Sequence, residues 1–209
     1  MLPAMGKRGR YGKYGEIKRH ERLKAAKRGP LPHAPSEVTA RGGESPPRYG
    51  LYRSGIAIRA AGRSDTDYIV RLSEQAFHVY GPYEGLVSQW LETAPTETYI
   101  ASLDLRSAGF AMIGQLSPTA DRGGVIELLA IAVDAGKRRK GIGAALMKTV
   151  ENRAVELRSK RVILHTGTDN LAAQALFSRS GYTPSEIKQH FYPAGQDAVM
   201  MSKALRKKH

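Results

Sequence analysis

The period of the hydrophobic pattern changes repeatedly between residues 56 and 205. Short apolar runs rich in β-branched residues predict strands, whereas longer stretches with an apolar residue at every third or fourth position predict helices. The predicted strands are 56–60, 98–103, 109–116, 125–133, 162–166, 186–192 and 198–203. The predicted helices follow Ser64, follow Tyr83, begin near Gly141 and cover 171–179. This alternation is typical of a mixed α/β sheet layered by helices.

Three polar or glycine-containing segments separate the first of these elements. Ser64-Asp-Thr-Asp offers caps for the first helix. Tyr80-Gly-Pro-Tyr83 predicts a break between the first and second helices. Arg106-Ser-Ala-Gly predicts the turn of a hairpin between the second and third strands.

The most informative segment runs from residue 125 to residue 146. Its apolar run is short, and residues such as Ile126 and Val133 favour a strand. Beyond a cationic, glycine-containing loop, Ile142, Leu146 and Val150 recur at helical spacing. The segment therefore predicts a buried strand, a loop and an amphipathic helix, in that order.

The loop itself predicts an anion-binding turn. Gly141 and Gly143 allow the backbone to approach a ligand closely, and the unpaired N–H groups of a helix start carry partial positive charge. Arg138, Arg139 and Lys140 add formal charge beside them. The spacing fits neither a Walker loop nor a dinucleotide-binding fingerprint, so a pyrophosphate of another kind is expected.

The pattern Arg138-x-x-Gly141-x-Gly143 resembles the acyl-CoA pyrophosphate loop of the GNAT superfamily, the general N-acetyltransferases. The resemblance continues through the strand at Arg161 and through Asn170-x-x-Ala173-x-x-Leu176-Phe177-x-x-x-Gly181-Tyr182, and it covers roughly residues 57–205. It implies the GNAT fold, an α/β fold with a mixed, mostly antiparallel sheet of about seven strands and helices on both faces. In that fold the fourth and fifth strands, here 125–133 and 162–166, splay apart.

By the same resemblance, the chain is an N-acetyltransferase that moves an acetyl group from acetyl-CoA to a primary amine by direct attack on the thioester. The strand backbone would pair with the pantetheine arm, the loop would hold the pyrophosphate, and the Asn170 side chain would bond the arm, a role compatible with helix capping. The implied cofactor-binding residues are Ile131, Ala132, Val133, Arg138, Arg139, Lys140, Gly141, Ile142, Gly143, Ala144, Asn170 and Phe177.

Two residues on the splayed strands are candidate catalytic bases. Glu127 interrupts an apolar strand four residues before Ile131, where several members of the family carry a catalytic glutamate. A carboxylate in such a strand must offset its desolvation, and an ion-paired structural glutamate is the alternative. His165 lies where N-terminal-alanine acetyltransferases often carry an acidic base.

Phe177 departs from the family pattern. Many members place a tyrosine there as general acid, and phenylalanine cannot donate a proton to the leaving thiolate. Tyr192, in the loop before the last strand, is the candidate substitute as a catalytic residue. Tyr182 is expected to pack, with its hydroxyl bonded to some partner.

The acceptor is expected to contact Tyr80, Tyr83 and His190, because the segments that carry them flank the amine entrance in this fold. The segment from Phe191 to Met200 is similar to the tail of ribosomal-protein N-terminal alanine acetyltransferases. This similarity favours a protein N-terminus as acceptor. A small amine and a lysine side chain are the open alternatives.

Charge divides the chain into two parts. The net charge of +14 comes from 33 Lys and Arg against 19 Asp and Glu, and residues 1–56 alone hold 13 against 4. We expect a basic extension with a Pro- and Gly-rich linker over residues 1–50 and an acetyltransferase domain over 51–209. A weak contact with RNA or the ribosome through residues 1–28 is one hypothesis, and a solvated tail is the other.

Composition also narrows the function classes. The chain has no cysteine, which excludes thiol catalysis, disulfides and cysteine-based zinc sites, and no metal is expected. No apolar run approaches the ~20 residues of a membrane span, so a cytoplasmic monomer or homodimer without a membrane partner is predicted. A non-catalytic acyl-CoA-responsive binding module, which Phe177 motivates, and a protein bound to RNA or the ribosome through the basic extension are the competing hypotheses.

Overall fold

The computed structural model describes residues 48–51, 55–93, 95–117 and 124–205. Its eight strands are β1 Arg48–Leu51, β2 Ile56–Ala60, β3 Thr96–Leu103, β4 Arg106–Ser117, β5 Val125–Val133, β6 Arg161–Gly167, β7 Thr183–Lys188 and β8 Ala198–Ala204. Its α-helices are α1 Thr66–Phe77, α2 Tyr83–Thr93, α3 Ile142–Glu156 and α4 Leu171–Arg179.

The eight strands of the described residues form one sheet in the order β1-β2-β3-β4-β5-β6-β8-β7. Neighbouring strands are antiparallel except β5 and β6, which are parallel. The mixed, mostly antiparallel sheet is therefore confirmed, and it has one strand more than the expected seven. The extra strand is β1, which takes residues 48–50 from the predicted linker into the sheet. The predictions for residues 1–47, including the RNA contact through 1–28, lie outside the described residues.

Helices cover both faces of the sheet, as predicted. On one face α3 and α4 pack over the sheet through residues such as Leu146, Val150 and Phe177. On the other face α1 and α2 pack over it through residues such as Leu72, Val87 and Trp90. The residues of α3 at helical spacing are fully buried, which confirms the amphipathic stripe. Each face buries enough apolar area to make hydrophobic burial the main stabilising term.

A β-bulge in β5 changes which face its side chains occupy. Met112 of β4 pairs with Ala130 and Ile113 pairs with Leu128, so Leu129 is the extra residue. Before the bulge Leu128 packs toward α3; Leu129 and Ala130 then both pack toward α1 and α2. A bulge of this kind bends a strand and increases its twist.

The splay between the two central strands is confirmed. β5 pairs with β6 from Val125–Arg161 to Leu128–Leu164, and the pairing ends there. The remaining residues of β5 pair with β4 on one side. The opposite edge of β5 and the end of β6 therefore face each other across a slot.

The predicted hairpin turn at Arg106-Ser-Ala-Gly was wrong by two residues. The turn is Asp104-Leu105, with φ of 50° and 64°, and Arg106 already pairs with Leu103. Two-residue hairpin loops of this type need positive φ, which leucine rarely adopts, so Leu105 does not indicate a turn at this position. Gly109 lies inside β4, where an added Cβ would meet the Ala132 carbonyl oxygen at 2.6 Å.

The strand predicted at 186–192 was also misplaced, because β7 is Thr183–Lys188. The aromatic residues Phe191 and Tyr192 suggested a strand, but they lie in a loop that contains a turn. The Gly195 N–H donates to the Tyr192 carbonyl at 2.9 Å, and the Tyr192 N–H donates to the Gln196 carbonyl at 3.1 Å. This displacement brings both aromatic side chains toward the slot.

An ion pair fixes the connection between β2 and α1. The Arg59 guanidinium donates to both carboxylate oxygens of Asp65, at 2.6 and 2.7 Å, and the Gly62 N–H donates to Asp65 at 2.8 Å. The hydrogen bond from Arg59 holds the pKa of the Asp65 carboxyl below its usual range; burial opposes this shift, and the Gly62 N–H supports it. Such bidentate charge-assisted bonds are among the stronger ones.

Replacing Asp65 by asparagine should lower the free energy of unfolding at pH 7 by about 1–2 kcal/mol, because the ion pair is lost. The folded-state pKa is depressed, so the stabilisation is present above the unfolded value of about 3.9 and is lost as pH falls through the folded value. Denaturant unfolding of both proteins from neutral to acidic pH should therefore show a shrinking difference. The exposed Asp67→Asn is the control, and a difference that stays constant with pH would contradict the assignment.

Candidate functional site

A cavity of ≈ 60 Å³ lies in the slot where β5 and β6 part. This volume has room for a few water molecules. Its wall combines the bulged part of β5, the end of β6, the start of α4 and several aromatic rings. The lining residues are Phe77, Tyr80, Tyr83, Leu128, Leu129, Ala130, Ile131, Leu164, His165, Thr166, Asn170, Ala173, Phe177 and Tyr192.

Glu127 and His165, the two candidate bases, contact each other. Parallel pairing places Glu127 beside Ile163, two residues before His165, and the His165 Nδ1 lies 3.1 Å from the Glu127 Oε1. The side chains are 2 % and 7 % exposed. This one contact gives Glu127 a partner, as in the structural alternative for that residue, and it also orients the ring of His165.

The second ring nitrogen of His165, Nε2, makes no hydrogen bond to Glu127. With Nδ1 against Glu127, Nε2 is buried and has no hydrogen-bond partner within the described residues. Buried polar atoms are normally paired, and an exception asks for an explanation. Because His165 lines the cavity, a proton-bearing ligand in that cavity is the natural partner for Nε2.

Four aromatic side chains, Tyr80, Tyr83, Phe191 and Tyr192, form an aromatic cluster over the cavity. Tyr80 stacks on Tyr192 at 4.1 Å, and Phe191 stacks on the imidazole of His165 at 4.5 Å. Phe191 and Tyr192 meet edge to face at 5.1 Å. The Tyr83 hydroxyl donates to the carbonyl of Leu129, the bulged residue, at 3.3 Å. The cluster therefore joins the bulge of β5 to the candidate base on β6.

Two chain segments are tied together to form this cluster. The Ala194 N–H donates to the Tyr80 carbonyl at 3.2 Å, and the Gln196 side-chain amide donates to the Val79 carbonyl. An added Cβ on Gly81 would lie 3.0 Å from Pro193. The β7–β8 loop thus packs closely against the turn between α1 and α2.

The environment keeps the hydroxyls of Tyr80 and Tyr192 protonated, because it raises the pKa of both. Burial raises the pKa of Tyr192, and the neighbouring Tyr83, Tyr80 and Asp169 raise it further. Burial also raises the pKa of Tyr80, although a hydrogen bond from Asn170 opposes the shift. A tyrosine in this state donates a hydrogen bond readily and gives up its proton reluctantly.

Asn170 has two partners at the start of α4. Its Oδ1 accepts from the Ala173 N–H at 3.1 Å, which is the N-cap contact, and its Nδ2 donates to the Tyr80 hydroxyl at 3.3 Å. Asn170 also lines the cavity. The capping role is therefore confirmed, and the contact with a pantetheine arm stays a prediction.

The basic loop ends in a helix start that no side chain caps within the described residues. Gly141 has φ of 84° and Arg139 has φ of 60°, both in the left-handed region. Lys137 is used structurally, since its ammonium donates to Asp134 at 3.0 Å and to the Ser107 carbonyl. Arg138, Arg139 and Lys140 are exposed, and the Arg138 Nε donates to the Val133 carbonyl at 3.2 Å. The first N–H groups of α3 therefore lie beside three exposed cations.

Glycine at position 143 is required by helix packing, which the sequence did not indicate. A Cβ at this position would lie 3.0 Å from a methyl carbon of Leu176 in α4. The small residue lets α3 and α4 approach each other closely beside the cavity. Gly141, by contrast, is required by its backbone conformation.

Phe177 and Tyr182 occupy different surroundings. Phe177 is buried and lines the cavity. Tyr182 packs in the core on the α3 side, as expected, but its hydroxyl has no hydrogen-bond partner within the described residues, so the expectation of a partner was wrong. Burial raises the pKa of Tyr182, and the charge on Glu151 adds to the shift.

Of the other predicted site residues, some line the cavity and some lie outside it. Ile131 lines it, and Val133 pairs with Gly109 on the far side of β5. His190 is exposed, and its N–H donates to the Asp197 carboxylate at 2.8 Å. Phe191 was not predicted as a site residue, although it belongs to the same tail motif as Tyr192.

Two further classes of site were examined across the described residues. No group of three or more His, Asp or Glu lies close enough to hold a metal ion in that part of the chain. No helix there has the length and apolar character needed to cross a bilayer.

Gly167→Ala should disturb the aromatic cluster without touching the chemistry of the candidate base. The new Cβ would lie 2.6 Å from both the Tyr80 hydroxyl and the Asp169 carboxylate, so Tyr80 must move out of its stack. We expect the free energy of unfolding to fall by about 1–3 kcal/mol. Gly136→Ala, where an added Cβ meets nothing within 4 Å, is the control. Equal melting temperatures for the two variants would argue against the packing described.

Comparison with known proteins places this arrangement in a family. The model of the acetyltransferase (GNAT) family matches residues 66–182. An uncharacterized N-acetyltransferase of Methanocaldococcus jannaschii is 27 % identical over 149 residues, covering 71 % of this chain and 91 % of that protein. An N-alpha-acetyltransferase of Sulfurisphaera tokodaii is 27 % identical over 158 residues, covering 71 % and 92 %.

Solved structures show the same fold. A ribosomal-protein-alanine N-acetyltransferase from Brucella melitensis superimposes with a TM-score of 0.59 at 22 % identity, covering 71 % of this chain and 99 % of that one. Arabidopsis thaliana NAA60 in complex with acetyl-CoA gives 0.61 at 16 % identity, covering 72 % and 98 %. Since the family model spans more than half of the chain, the chain belongs to the acetyltransferase (GNAT) family and is an acyltransferase.

Proposed function

We propose that this protein transfers the acetyl group of acetyl-CoA to the α-amine of a protein N-terminus. The observation that carries the proposal is the buried contact of Glu127 with His165, a cavity-lining histidine whose Nε2 has no hydrogen-bond partner within the described residues. The names of the Sulfurisphaera and Brucella proteins, an N-alpha-acetyltransferase and a ribosomal-protein-alanine N-acetyltransferase, support the choice of acceptor.

The residues at the start of α3 fit a pyrophosphate. The left-handed conformation of Gly141 turns the backbone into the helix, and the first N–H groups of α3 have no side-chain cap within the described residues. Helix starts of this kind bind phosphate oxygens. Arg138, Arg139 and Lys140 would supply the counter-charge, with N–H groups between residues 139 and 144 as donors.

The slot between β5 and β6 fits an extended polar arm. Beyond Leu128 the outer edge of β5 has no strand beside it within the described residues. The backbone of Ile131 and Val133 would pair with the pantetheine amides there, and Asn170 would bond the arm from the opposite wall. When bound, acetyl-CoA supplies an acetyl thioester that an amine can attack.

His165 would accept the proton that the acceptor amine loses. Its ring lines the cavity, and the buried carboxylate of Glu127 holds Nδ1 at 3.1 Å, so that Nε2 would be the nitrogen that faces the acceptor. Phe191 covers one face of the imidazole and limits its rotation. This is the base-plus-orienting-group arrangement of general base catalysis.

The cavity favours an α-amine over a lysine amine. A lysine amine, with a pKa of about 10.4, costs roughly 4–5 kcal/mol to neutralise at pH 7, whereas an α-amine near 7.7 costs about 1 kcal/mol. Among the described residues, none that lines the cavity is a carboxylate that could hold an ammonium ion. A single buried base suits the less basic amine.

The proton needed by the leaving thiolate has a different donor from the one usual in the family. Phe177 lines the cavity and has no proton to give. Tyr192, which also lines the cavity, is the candidate replacement, but its raised pKa makes complete proton transfer unfavourable. We therefore assign it a hydrogen-bond donor role toward the sulfur, with the proton released from the amine as the final source.

These features also weigh against a module that binds acyl-CoA without catalysis. Such a module has no use for a buried carboxylate beside a histidine, since the pair costs desolvation energy that apolar residues would avoid.

In the same proposal, Tyr80, Tyr83 and His190 contact the acceptor. Tyr80 and Tyr83 support it through the aromatic cluster, and His190 would act at the outer surface.

A mass-spectrometric acetylation screen tests the acceptor. The protein and acetyl-CoA are incubated with peptides of varied first residue, with the same peptides blocked at the N-terminus but carrying lysine, and with polyamines, amino acids and aminoglycosides. We expect acetylation of the free N-termini. Modification confined to lysine side chains or to small amines would contradict the proposal.

His165→Ala should lower kcat by about 10²–10⁴-fold, the usual contribution of a general base, and Glu127→Gln should lower it by a smaller factor. The deficit of His165→Ala should narrow above pH ~7.7, because the α-amine then arrives neutral. Acetylation rates are measured against pH, with CoA binding and melting temperature confirming that both variants fold. His78→Ala, an exposed histidine outside the cavity, is the control, and an unchanged kcat for His165→Ala would remove the base from the mechanism.

Gly141→Glu should weaken the Kd for CoA at least tenfold, because it imposes an unfavourable φ and places a carboxylate beside the phosphates. Gly136→Glu is the matched control. It adds the same charge in the same loop, at a position where an added Cβ meets nothing within 4 Å. Calorimetric titration with CoA measures both, and equal Kd values would move the pyrophosphate site elsewhere.

A further inference from the structure

An exposed carboxylate, Asp169, lies beside the aromatic cluster. It belongs to the turn between β6 and α4, directly before Asn170. The absent Cβ of Gly167 would lie 2.6 Å from both the Asp169 Oδ1 and the Tyr80 hydroxyl, so these two oxygens are close neighbours. The Thr168 N–H donates to the Asp197 carbonyl at 3.2 Å, which ties this turn to the β7–β8 loop. Asp169 therefore lies where three segments around the cavity meet.

Other carboxylates near the cavity already have partners. Glu127 contacts His165, and Asp197 accepts from the His190 N–H. Asp134, at the other end of the slot, pairs with Lys137. The side chain of Asp169 has neither an ion pair nor a hydrogen bond within the described residues, although the chain carries 33 Lys and Arg.

The charge of Asp169 acts on the wall of the cavity. Burial is the main cause of the raised pKa of Tyr80 and Tyr192, and the charge of Asp169 adds to it in both cases. Both hydroxyl groups belong to the aromatic cluster that covers the candidate base. Asp169 itself is exposed and does not line the cavity, so a cation held there would lie beside Tyr80, outside the cavity wall.

Under the proposed function, an acceptor peptide passes close to Asp169. With the α-amine of an acceptor at the Nε2 of His165, the following residues of the peptide must leave the cavity past the aromatic cluster. An extended chain advances about 3.3–3.6 Å per residue, so the side chain of the second or third residue reaches the mouth. A lysine or arginine there would meet an uncompensated carboxylate.

We propose that Asp169 is a specificity-determining residue that binds a lysine or arginine side chain at the second or third position of the acceptor peptide. The inference rests on the proposed function, because it presumes a peptide with its α-amine at His165. Exposed ion pairs contribute modestly, typically below about 1 kcal/mol, which corresponds to up to a fivefold preference. Such a preference selects among N-termini without changing the chemistry.

Asp169 also precedes a helix, where a negative charge stabilises the helix dipole. A purely structural role of this kind predicts a lower melting temperature for Asp169→Asn and the same selectivity among peptides. The two roles are separated by measuring selectivity as a ratio, since a general loss of folded enzyme cancels in the ratio.

The experiment compares three peptides that differ at the second residue, which is lysine, glutamine or glutamate, each with the same first residue. We expect the unaltered protein to favour lysine over glutamine about two- to fivefold in kcat/KM at low salt, mainly through KM, with the preference fading at high salt. Asp169→Asn should abolish the preference at unchanged kcat. Asp169→Lys should reverse it, so that the glutamate peptide becomes the best of the three.

Glu186→Lys is the control, because it changes the net charge as much as Asp169→Lys does, at an exposed position on β7. It should leave the order of the peptides unchanged. Retention of the lysine preference in both Asp169 variants, or absence of a preference in the unaltered protein, would overturn this inference while leaving the proposed function in place. Failure of the unaltered protein to acetylate any N-terminus would overturn both.

Discussion

The end of pairing between β5 and β6 is the constraint on which the rest of the site depends. The two strands are hydrogen-bonded as far as Leu128 and Leu164, and the bulge at Leu129 then bends β5 away. Parting two strands inside a sheet leaves backbone groups that need new partners. Tyr83 provides one, by donating to the Leu129 carbonyl. The slot that results has polar backbone on its walls and aromatic rings above it, which is the setting for an extended amide-containing ligand.

The Glu127–His165 contact lies at the bottom of this slot and follows from the same geometry. A carboxylate that is 2 % exposed is costly unless it is paired, and the paired strands bring the imidazole within 3.1 Å. The cost is offset only while both members are present, so each residue constrains the other. Phe191 adds a third constraint by stacking on the ring. In the proposed mechanism, an imidazole held on two sides in this way keeps one nitrogen in a fixed direction toward the acceptor amine.

Local signals in the sequence predicted the helices and strands well, whereas contacts between segments distant along the chain could not be predicted from it. Asn170 caps α4, as the sequence allowed, and the apolar stripe of α3 through Leu146 and Val150 is buried. Glu127 and His165 were both chosen, but 38 positions separate them, so their contact required the register of β5 and β6. The bulge at Leu129 has no glycine to mark it. Phe191 was predicted as a strand residue because of its aromatic side chain, although the Tyr192-Pro-Ala-Gly195 turn that follows it carries the proline and glycine typical of a turn.

The left-handed conformation of Arg139 has a consequence for affinity. A residue with a Cβ at φ of 60° is strained by roughly 1–2 kcal/mol, and this one lies two residues before Gly141 at 84°. The backbone bend that a phosphate would otherwise have to induce is thus already present in the folded chain. Preorganisation of this kind moves the ordering cost from the binding step to the folding step. Under the proposed pyrophosphate role, the loop exchanges a small part of the stability of the domain for tighter binding of an anion, and a variant that relaxes Arg139, such as Arg139→Gly, would gain stability at the expense of a flexible, less receptive loop.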